Sequence, residues 1–250
     1  MPTDTRIGCS GWHYDGWIGP FYPKGTRKTD LLRAYAERFA TAEINNSFYR
    51  LPSERAVARW REQVPDGFLF AWKGSRFVTH YKKLLDVRDS IALITGRMDG
   101  LGDAFGPVLW QLPPFLKPDL ERLARFLDLL PKRRLHAVEF RDPTWYEEPT
   151  LRVLRDHGIA LCISDHADAP APFEVTADHV YLRGHGPGGR YHGRYPEKTL
   201  HDWARRIRGW SRRGTAVFCY FDNDVEAAAP RDAEALVGMV GGRAEKRRSA

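Results

Sequence analysis

Residues 200–221 read LHDWARRIRGWSRRGTAVFCYF, and this stretch contains one complete unit of the fold. Leu200–Trp210 has apolar residues at helical spacing, and Ala216–Phe221 is an apolar run of strand length. Gly214 stands between them, at the position where a helix commonly ends in a left-handed residue. The stretch therefore predicts an α-helix followed by a buried strand.

The same alternation of helix and strand patterns recurs along the chain, which is 250 residues long. Eight runs have the length and composition of strands: Arg6–Cys9, Ala42–Ser47, Phe68–Lys73, Val108–Leu112, Ala137–Arg141, Ile159–Ser164, Val180–Arg183 and Ala216–Phe221. Helical patterns separate most of them, at Leu31–Phe39, Glu54–Val64, Leu120–Leu130 and Leu200–Trp210. Eight strands in a chain of this length match a (β/α)₈ barrel of TIM type better than an open doubly wound sheet.

Two parts of this pattern are irregular. Residues 165–178 contain Pro170 and Pro172 and leave no room for a normal helix, so the sixth βα unit is predicted to carry a loop instead. The long connection from Gly74 to Pro107 is expected to carry an extra helix near Asp89–Arg97. No linker indicates a second domain, so residues 1–240 are predicted to form one barrel domain and the basic residues 241–250 a frayed tail.

Composition limits the class of protein without naming a function. The net charge is +7, which favours anionic partners in general, whether a metabolite, a nucleic acid or a membrane. No signal-peptide pattern and no apolar stretch long enough to span a membrane occur, so no membrane association and a cytoplasmic location are predicted. The three cysteines are far apart in apolar runs and are interpreted as reduced, buried thiols.

Chemistry in a barrel of this kind gathers where the strands end, and this chain has many polar residues there. Alternation along the strands predicts that seven charged side chains converge on one barrel mouth: Glu43, Lys73, Glu139, Arg141, Asp165, Arg183 and Asp222. One interpretation is an ion-pair lattice that closes the barrel. The other is a functional site, because concentrating ionisable groups there implies a desolvation cost that stability alone does not explain.

Other residues near the strand ends suggest further possibilities. The glycines in Gly184–Gly189 follow a strand without opening a helix, so this segment is interpreted as a loop over the mouth or a solvated turn rather than a dinucleotide site. Four histidines on this face, His13, His166, His185 and His192, could join the carboxylates in holding a divalent metal. No ligand spacing supports a particular metal or cofactor, and the cofactor stays unknown.

Several of these segments resemble the YecE-like family, also called domain of unknown function 72. The resemblance rests on Ile7–Tyr14 (IGCSGWHY), Glu43–Pro52 (EINNSFYRLP), Gln111–Pro114 (QLPP), Glu139–Arg141 (EFR), Tyr181–His185 (YLRGH) and Tyr220–Asp224 (YFDND), and it extends from Ile7 to about Val240. The family implies a TIM-barrel fold, in agreement with the eight strand patterns. It implies no reaction, substrate or cofactor, so function is argued from the mouth.

The first functional hypothesis is a hydrolase- or lyase-type enzyme acting on a small anionic substrate, such as a phosphorylated sugar or a nucleotide fragment. Glu43 and Glu139 are the expected general acid and base, with Asp165 and Asp222 as further catalytic carboxylates. The residues expected to bind the substrate are Trp12, Tyr14, Asn45, Lys73, Gln111, Arg141, Arg183, His185, Tyr220 and Asn223. Among these, Lys73, Arg141 and Arg183 are expected to hold the anionic group.

The alternative hypothesis is a protein that binds or processes nucleic acid on its outer face. Its phosphate track would combine the basic tail and Lys132–Arg134 with the arginines of the seventh unit's helix, which are Arg205, Arg206, Arg208, Arg212 and Arg213. Basic charge concentrated in the mouth favours the small anion, whereas a continuous outer stripe favours nucleic acid.

Overall fold

The structure is a computed structural model that describes residues 5–241. Its eight parallel strands are β1 (Thr5–Ser10), β2 (Thr41–Ile44), β3 (Leu69–Lys73), β4 (Phe105–Gln111), β5 (His136–Glu139), β6 (Ala160–Ser164), β7 (His179–Gly184) and β8 (Ala216–Phe221). They form a closed barrel in chain order, in which β8 pairs with β1. The predicted (β/α)₈ barrel is confirmed.

Helices connect the strands on the outside of the barrel. They are α1 (Leu31–Ala36), α2 (Glu54–Glu62), α3 (Arg88–Met98), α4 (Leu120–Asp128), α5 (Glu148–Asp156), α6 (Glu197–Arg212) and α7 (Ala228–Val240). α3 is the extra helix predicted in the long connection after β3. The described segment between β6 and β7 contains no helix, as its two prolines predicted.

Three strands, β2, β4 and β5, end earlier than predicted, and the early ends of β2 and β5 affect the mouth. β2 ends at Ile44 because Asn46–Phe48 forms a 3₁₀ turn, so the two-residue alternation stops before Ser47. The Ser47 hydroxyl donates to the carbonyl oxygens of Ile44 and Lys73 instead of facing the barrel axis. β5 likewise ends at Glu139, before Arg141.

The limits of the described residues affect two expectations. Except for Gly241, the predicted frayed tail at residues 241–250 lies outside the described part of the chain. Within residues 5–241, no helix combines the length and the apolar character that crossing a membrane requires. The cytoplasmic location stays a prediction.

The barrel interior is apolar below its mouth. Inward side chains from alternating strand positions form a small cluster that includes Ala71, Leu109, Ala137, Cys162 and Tyr181. A larger apolar layer lies between the outer faces of the strands and the helices. All three cysteines are buried and unpaired, as predicted. Inward side chains alternate with helix-facing ones, so any polar group at the last inward position of a strand points into the mouth.

Gly8 in β1 makes room for a side chain that ties β1 to β2. The Tyr35 hydroxyl of α1 accepts a hydrogen bond from the Cys9 amide at 2.7 Å and donates one to the Thr41 carbonyl oxygen at 3.0 Å. A Cβ atom on residue 8 would lie 2.3 Å from that carbonyl oxygen and 2.8 Å from the Tyr35 hydroxyl. Glycine is therefore required here by close approach.

We expect Gly8→Ala to destabilise the fold by about 1–3 kcal/mol, the usual cost of overpacking, because the methyl group meets backbone that cannot easily move. Urea unfolding measures the change. Gly209→Ala is the matched control, since a Cβ there meets nothing closer than 3.7 Å and alanine favours the interior of α6. Equal stability of Gly8→Ala and the parent chain would contradict the packing of Tyr35 described above.

Candidate functional site

Each strand brings one polar side chain to the mouth at or just beyond its last inward position. These residues, in strand order, are Ser10, Glu43, Lys73, Gln111, Glu139, Ser164, Arg183 and Asp222. The positions of the charged members follow from the two-residue alternation of the strands. They form a ring that separates the apolar interior from the cavity above it.

Arg183 lies at the centre of this ring with none of its surface exposed. Its Nε and Nη2 donate to the two carboxylate oxygens of Glu43 at 3.2 and 2.8 Å. Nη1 lies 3.1 Å from Glu139 Oε2, and Nη2 lies 2.8 Å from Asp222 Oδ2. The second N–H of Nη1 points at His185 Nε2, which lies 3.1 Å from Nη1. Every N–H of the guanidinium is thus directed at an acceptor inside the protein.

Glu43 is completely buried and fully engaged by donors. Besides Arg183, the Ser10 hydroxyl donates to Oε1 at 2.6 Å and the Tyr181 hydroxyl donates to Oε2 at 2.6 Å. Burial alone would raise the pKa of Glu43, but Arg183, Lys73 and these hydroxyl groups hold the pKa below its ordinary value of 4.5. Glu43 is therefore an ionised counter-ion at neutral pH.

Glu139 is also fully buried, and Arg141 Nη2 lies 2.6 Å from its Oε1. Burial opposes ionisation, yet Arg141 and Arg183 together lower the pKa of Glu139 well below its ordinary value. Arg141 also approaches the Tyr191 hydroxyl at 3.1 Å and His185 Nε2 at 3.2 Å. Glu139 therefore pairs with two guanidinium groups and stays ionised.

Hydrogen bonds hold the loop after β7 against the ion-pair lattice, which consists of Glu43, Glu139, Arg141, Arg183 and His185. Since His185 Nε2 faces two guanidinium groups, it is assigned as the acceptor, and Nδ1 carries the proton that faces Asp165 Oδ1 at 3.3 Å. Asp165 Oδ1 also accepts the backbone N–H of His185 at 2.7 Å, and Oδ2 accepts the Tyr195 hydroxyl. Asp165 and His185 thus hold the segment that carries Tyr191 over the mouth.

A cavity of about 550 Å³ opens above the lattice. Its polar lining consists of His13, Asn45, Asn46, Lys73, His80, Gln111 and Asp222, and its aromatic lining consists of Trp12, Tyr14, Phe48, Tyr49 and Tyr191. The volume is that of a site for a small molecule. Flat aromatic faces with amide groups beside them suit a ring that carries hydroxyl groups.

Lys73 is the cation of the ring that the lattice leaves unpaired. The residue is 8% exposed, and its Nζ lies 4.6 Å from the centre of the Phe48 ring. Within residues 5–241, its Nζ forms no hydrogen bond and no ion pair. Burial and then Arg183 lower the pKa of Lys73 to about 8, although Asp222, Glu139 and Glu43 oppose them. An unpaired buried amine costs free energy that the fold does not require.

Two further residues of the mouth, His80 and Arg76, come from the segment after β3. His80 lines the cavity, and burial followed by Lys73, Arg141 and Arg76 lowers its pKa to about 4, so it is neutral at neutral pH. The Arg76 guanidinium lies 5.1 Å from the Tyr49 ring centre and 5.5 Å from the Tyr81 ring centre. Within the described residues Arg76 has no carboxylate partner, so it is a second unpaired cation, at the rim.

The structure places the sequence-predicted residues at different depths. Trp12, Tyr14, Asn45, Lys73, Gln111 and Asp222 line the cavity. Glu43, Glu139, Arg141, Arg183 and His185 form the lattice beneath and beside it. Tyr220 is buried lower, with its hydroxyl 2.8 Å from Thr41 Oγ1, and Asn223 donates to Gly193 O and to Asp232 Oδ2.

These positions change several expected roles. Glu43 and Glu139 are ionised, held by guanidinium groups and out of the cavity, so they are not placed as an acid–base pair. Arg183 has no free N–H for a ligand because three carboxylates surround it. Asp165, His185 and Tyr220 use their polar side-chain atoms within the protein, and Asn223 uses its Nδ2, so these residues position the mouth rather than line it.

The sequence patterns did not predict Asn46, Arg76, His80, Phe48 and Tyr191. Arg76 and His80 lie in a connection without strand periodicity, and Asn46 lies in the 3₁₀ turn that ends β2. A signal was available for Tyr191, because it lies inside the segment predicted to form a loop over the mouth. Its φ of 68° shows that this loop holds it in the left-handed region.

The sequence also suggested a divalent metal site in the mouth and a basic outer surface for nucleic acid. Across residues 5–241, no group of three or more His, Cys, Asp or Glu side chains is arranged to hold a metal ion. On α6, Arg205 pairs with Asp202, Arg208 and Arg212 donate to backbone carbonyl groups, and Arg206 lies 4.0 Å from the Phe173 ring centre.

Near the start of β5, Arg133 and Arg134 both pair with Asp99. Together with the pairings on α6, this means that much of the outer basic charge has a partner in the protein. Lys73, by contrast, lines the mouth cavity and has no ion-pair partner within the described residues.

Comparisons with known proteins agree with the fold. A family model described as "Protein of unknown function DUF72" matches residues 6–250. The UPF0759 protein YecE of Escherichia coli is 33% identical over 174 residues, which are 66% of this chain and 61% of that protein. The match therefore spans about three fifths of the length of that curated relative.

Two other relatives match over more of the chain. The UPF0759 protein YunF of Bacillus subtilis is 25% identical over 87% of this chain and 88% of its own. The crystal structure of a DUF72 family protein from Thermotoga maritima superposes with a TM-score of 0.86 and 26% identity, covering 95% of this chain and 99% of that one.

The lattice predicts how stability depends on Arg183. We expect Arg183→Met to lose about 3–5 kcal/mol at pH 7, because it leaves Glu43 buried without its main counter-ion. In the parent chain the lowered pKa of Glu43 contributes stability that is present above its ordinary pKa and lost as pH falls through the folded value. In the variant, burial raises that pKa, so stability should instead increase as pH falls from 7 to 5.

Urea unfolding of the parent chain and of Arg183→Met at pH 5 and pH 7 measures how the free energy of unfolding of each depends on pH. Arg205→Met, on the exposed face of α6, is the matched control and should leave both the stability and its pH dependence within about 0.5 kcal/mol of the parent. A variant at Arg183 with the same pH dependence as the parent chain would contradict the role assigned to this ion cluster.

Proposed function

We propose that the chain, which belongs to the DUF72 family, is an acid–base enzyme of hydrolase or lyase type that acts on a small anionic substrate in the mouth cavity. The substrate class that fits the cavity is a phosphorylated or sugar-like molecule. The observation that carries the proposal is the amine of Lys73, which is buried at the cavity and has no ion-pair partner in the described residues.

The positions of the two unpaired cations, Arg76 and Lys73, indicate how the substrate would be oriented in the cavity. Arg76 lies over Tyr49 at the rim, where an anionic group can be met while it is still partly hydrated. A guanidinium can hold a phosphate oxygen pair with two parallel N–H groups. Lys73 lies within the ring of strand ends, so the anionic end would face outward and the reacting end would face the barrel axis.

Three cavity residues can take part in proton transfer. A pKa of about 8 lets Lys73 exchange a proton near neutral pH. Neutral His80 can accept a proton, and Asp222 lines the cavity while its Oδ2 is held by Arg183 at 2.8 Å. This set replaces the pair Glu43 and Glu139 as the proposed acid–base machinery, with Glu43 and Glu139 as fixed counter-ions.

The remaining lining supports a substrate with hydroxyl groups. Asn45 and Gln111 bring amide groups to the cavity, and Asn45 Nδ2 lies 3.3 Å from Asp222 Oδ1, which fixes its orientation. Trp12, Tyr14 and Tyr191 supply flat faces of the kind on which sugar rings and bases stack. A sugar phosphate or a nucleotide fragment satisfies both features.

Binding of nucleic acid on the outer face is the second proposal. A shallow surface pocket lined by Phe173, Arg205, Arg206, Trp210 and Arg213 favours it, since aromatic and guanidinium groups together suit a phosphate-linked base. The pairing of the other basic residues with Asp202, Asp99 and backbone carbonyl groups makes a continuous phosphate track harder to assemble. The mouth is therefore the better-supported site.

We expect Arg76→Ala and Lys73→Met each to weaken the binding of phosphorylated ligands by roughly 10–150-fold, which corresponds to about 1.5–3 kcal/mol for a charged hydrogen bond. Calorimetry with glycerol 3-phosphate, ribose 5-phosphate and a nucleoside monophosphate measures the affinities. Arg206→Ala is the matched control, because that guanidinium also lies over an aromatic ring but on α6. A loss of affinity only in Arg206→Ala would favour the outer face.

The affinity should also depend on pH with a defined sign. The charge of the Lys73 ammonium group attracts an anionic ligand into the cavity, so affinity should be highest below its pKa of about 8 and fall as pH rises through that value. Between pH 7 and pH 9.5 a phosphate monoester stays almost fully charged, so the change reports the protein. In Lys73→Met the affinity should be flat over this range, and a fall equal to that of the parent chain would remove Lys73 from the site.

A further inference from the structure

We infer that the Lys73 amine forms an iminium with an aldehyde or ketone carbonyl of the anionic substrate, which makes the reaction a covalent, lyase-type one. This inference rests on the proposed function, because it names the bond that the same cavity would form. The substrate class becomes a small phosphorylated or otherwise anionic carbonyl compound.

The first support is the position of the amine. Lys73 is 8% exposed, lines the cavity and has no acceptor for its N–H groups within residues 5–241. Other lysines of the chain have partners where carboxylates are near, as Lys28 has with Asp15 at 2.8 Å and Lys117 has with Asp142 at 2.5 Å. An amine without acceptors loses little when it gives up its proton, which is what a nucleophile must do.

The second support is the distribution of charge around the amine. Arg183 lies against Glu43, Glu139 and Asp222, and Arg141 also lies against Glu139, so each nearby carboxylate already contacts a guanidinium and only partly offsets the effect of burial on the amine. Burial and the charge of Arg183 lower the pKa of Lys73 to about 8. At pH 7 about one amine in ten is then unprotonated, against roughly one in three thousand for an ordinary lysine. Desolvation and a neighbouring cation are the usual means of activating such an amine.

The step balances without any co-reactant. The Nζ lone pair forms a bond to the carbonyl carbon, and the C=O π electrons move to oxygen, which takes a proton to give a carbinolamine. Nitrogen then loses a proton, the hydroxyl group gains one and leaves as water, and the C=N bond forms. The neutral amine, one carbonyl and one proton thus give an iminium and water.

Residues that line the cavity can transfer the protons of this step and stabilise its charged product. Asp222 and neutral His80 line the same space and can pass the protons between nitrogen and oxygen. The iminium carries the same single positive charge as the ammonium, so the Phe48 ring, 4.6 Å from Nζ, faces a cation before and after the reaction. The electron-poor iminium then favours loss of a proton from the neighbouring carbon to a base such as Asp222.

The test is reductive trapping in the full-length chain. The protein is incubated at pH 7 with glycolaldehyde phosphate or dihydroxyacetone phosphate, reduced with sodium borohydride and analysed by intact mass and peptide mapping. We expect one adduct per chain, located at Lys73, formed more than about tenfold faster than any adduct at Lys198, an exposed lysine of α6. Glycerol 3-phosphate, which has the anion but no carbonyl group, should slow the trapping by competing for the cavity.

Lys73→Arg and Lys198→Arg are the paired variants, since arginine keeps the charge but forms no stable iminium under these conditions. Trapping should vanish in the first and persist in the second, and the ratio between Lys73 and Lys198 in the parent chain gives the answer even if Lys73→Arg does not fold. Equal modification of the two lysines, or none at Lys73 while glycerol 3-phosphate binds, overturns the iminium and leaves the proposed function standing. Absence of both trapping and binding overturns both proposals.

Discussion

The structure of the mouth depends on one buried guanidinium. Arg183 contacts Glu43, Glu139 and Asp222, which come from three different parts of the barrel, and it has no exposed surface. Removing three carboxylates from water is costly, and only a group with several donors in a fixed plane can compensate all of them at once. Lysine, with a single point charge, could not replace it.

This arrangement explains why Lys73 is left without a partner. The ring brings together three carboxylates, Glu43, Glu139 and Asp222, and two cations, Lys73 and Arg183, and Arg141 beyond the end of β5 adds a third cation. Arg183 touches all three carboxylates and Arg141 touches one, so none is directed at the lysine. The pairing is uneven although the charges balance. An ion lattice and a reactive amine are therefore two parts of one arrangement rather than competing interpretations of the mouth.

Sequence patterns predicted the fold well, because each strand is a short apolar run whose length and spacing are local properties. The convergence of Glu43, Lys73, Glu139, Arg183 and Asp222 also followed from alternation along the strands. What alternation could not predict is depth. Whether an inward carboxylate lines the cavity or lies beneath it depends on side chains from other strands. For Glu43 these are Ser10 of β1 and Tyr181 of β7, whose hydroxyl groups donate to its carboxylate.

The site residues that the sequence did not predict were missed for a different reason. Arg76 and His80 lie in a segment after β3 that includes a π-helical turn at Phe77–Tyr81, and no periodic pattern predicts where such a segment directs its side chains. Their positions are decided by tertiary contacts, such as the edge of His80 against Phe48 at 5.0 Å. Loops of this kind carry much of the function in barrel proteins.

The depth of a carboxylate below the cavity and the donors that it contacts together distinguish structural carboxylates from those proposed to take part in the reaction. A carboxylate that accepts hydrogen bonds on both oxygens from buried donors, as Glu43 does, is too strongly held in its charged form to exchange a proton near neutral pH. Asp222 lies at a different depth: it borders the cavity, with Arg183 at its Oδ2 and Asn45 Nδ2 3.3 Å from its Oδ1. The same guanidinium thus fixes two carboxylates as counter-ions and orients the third toward the space where Lys73 is exposed.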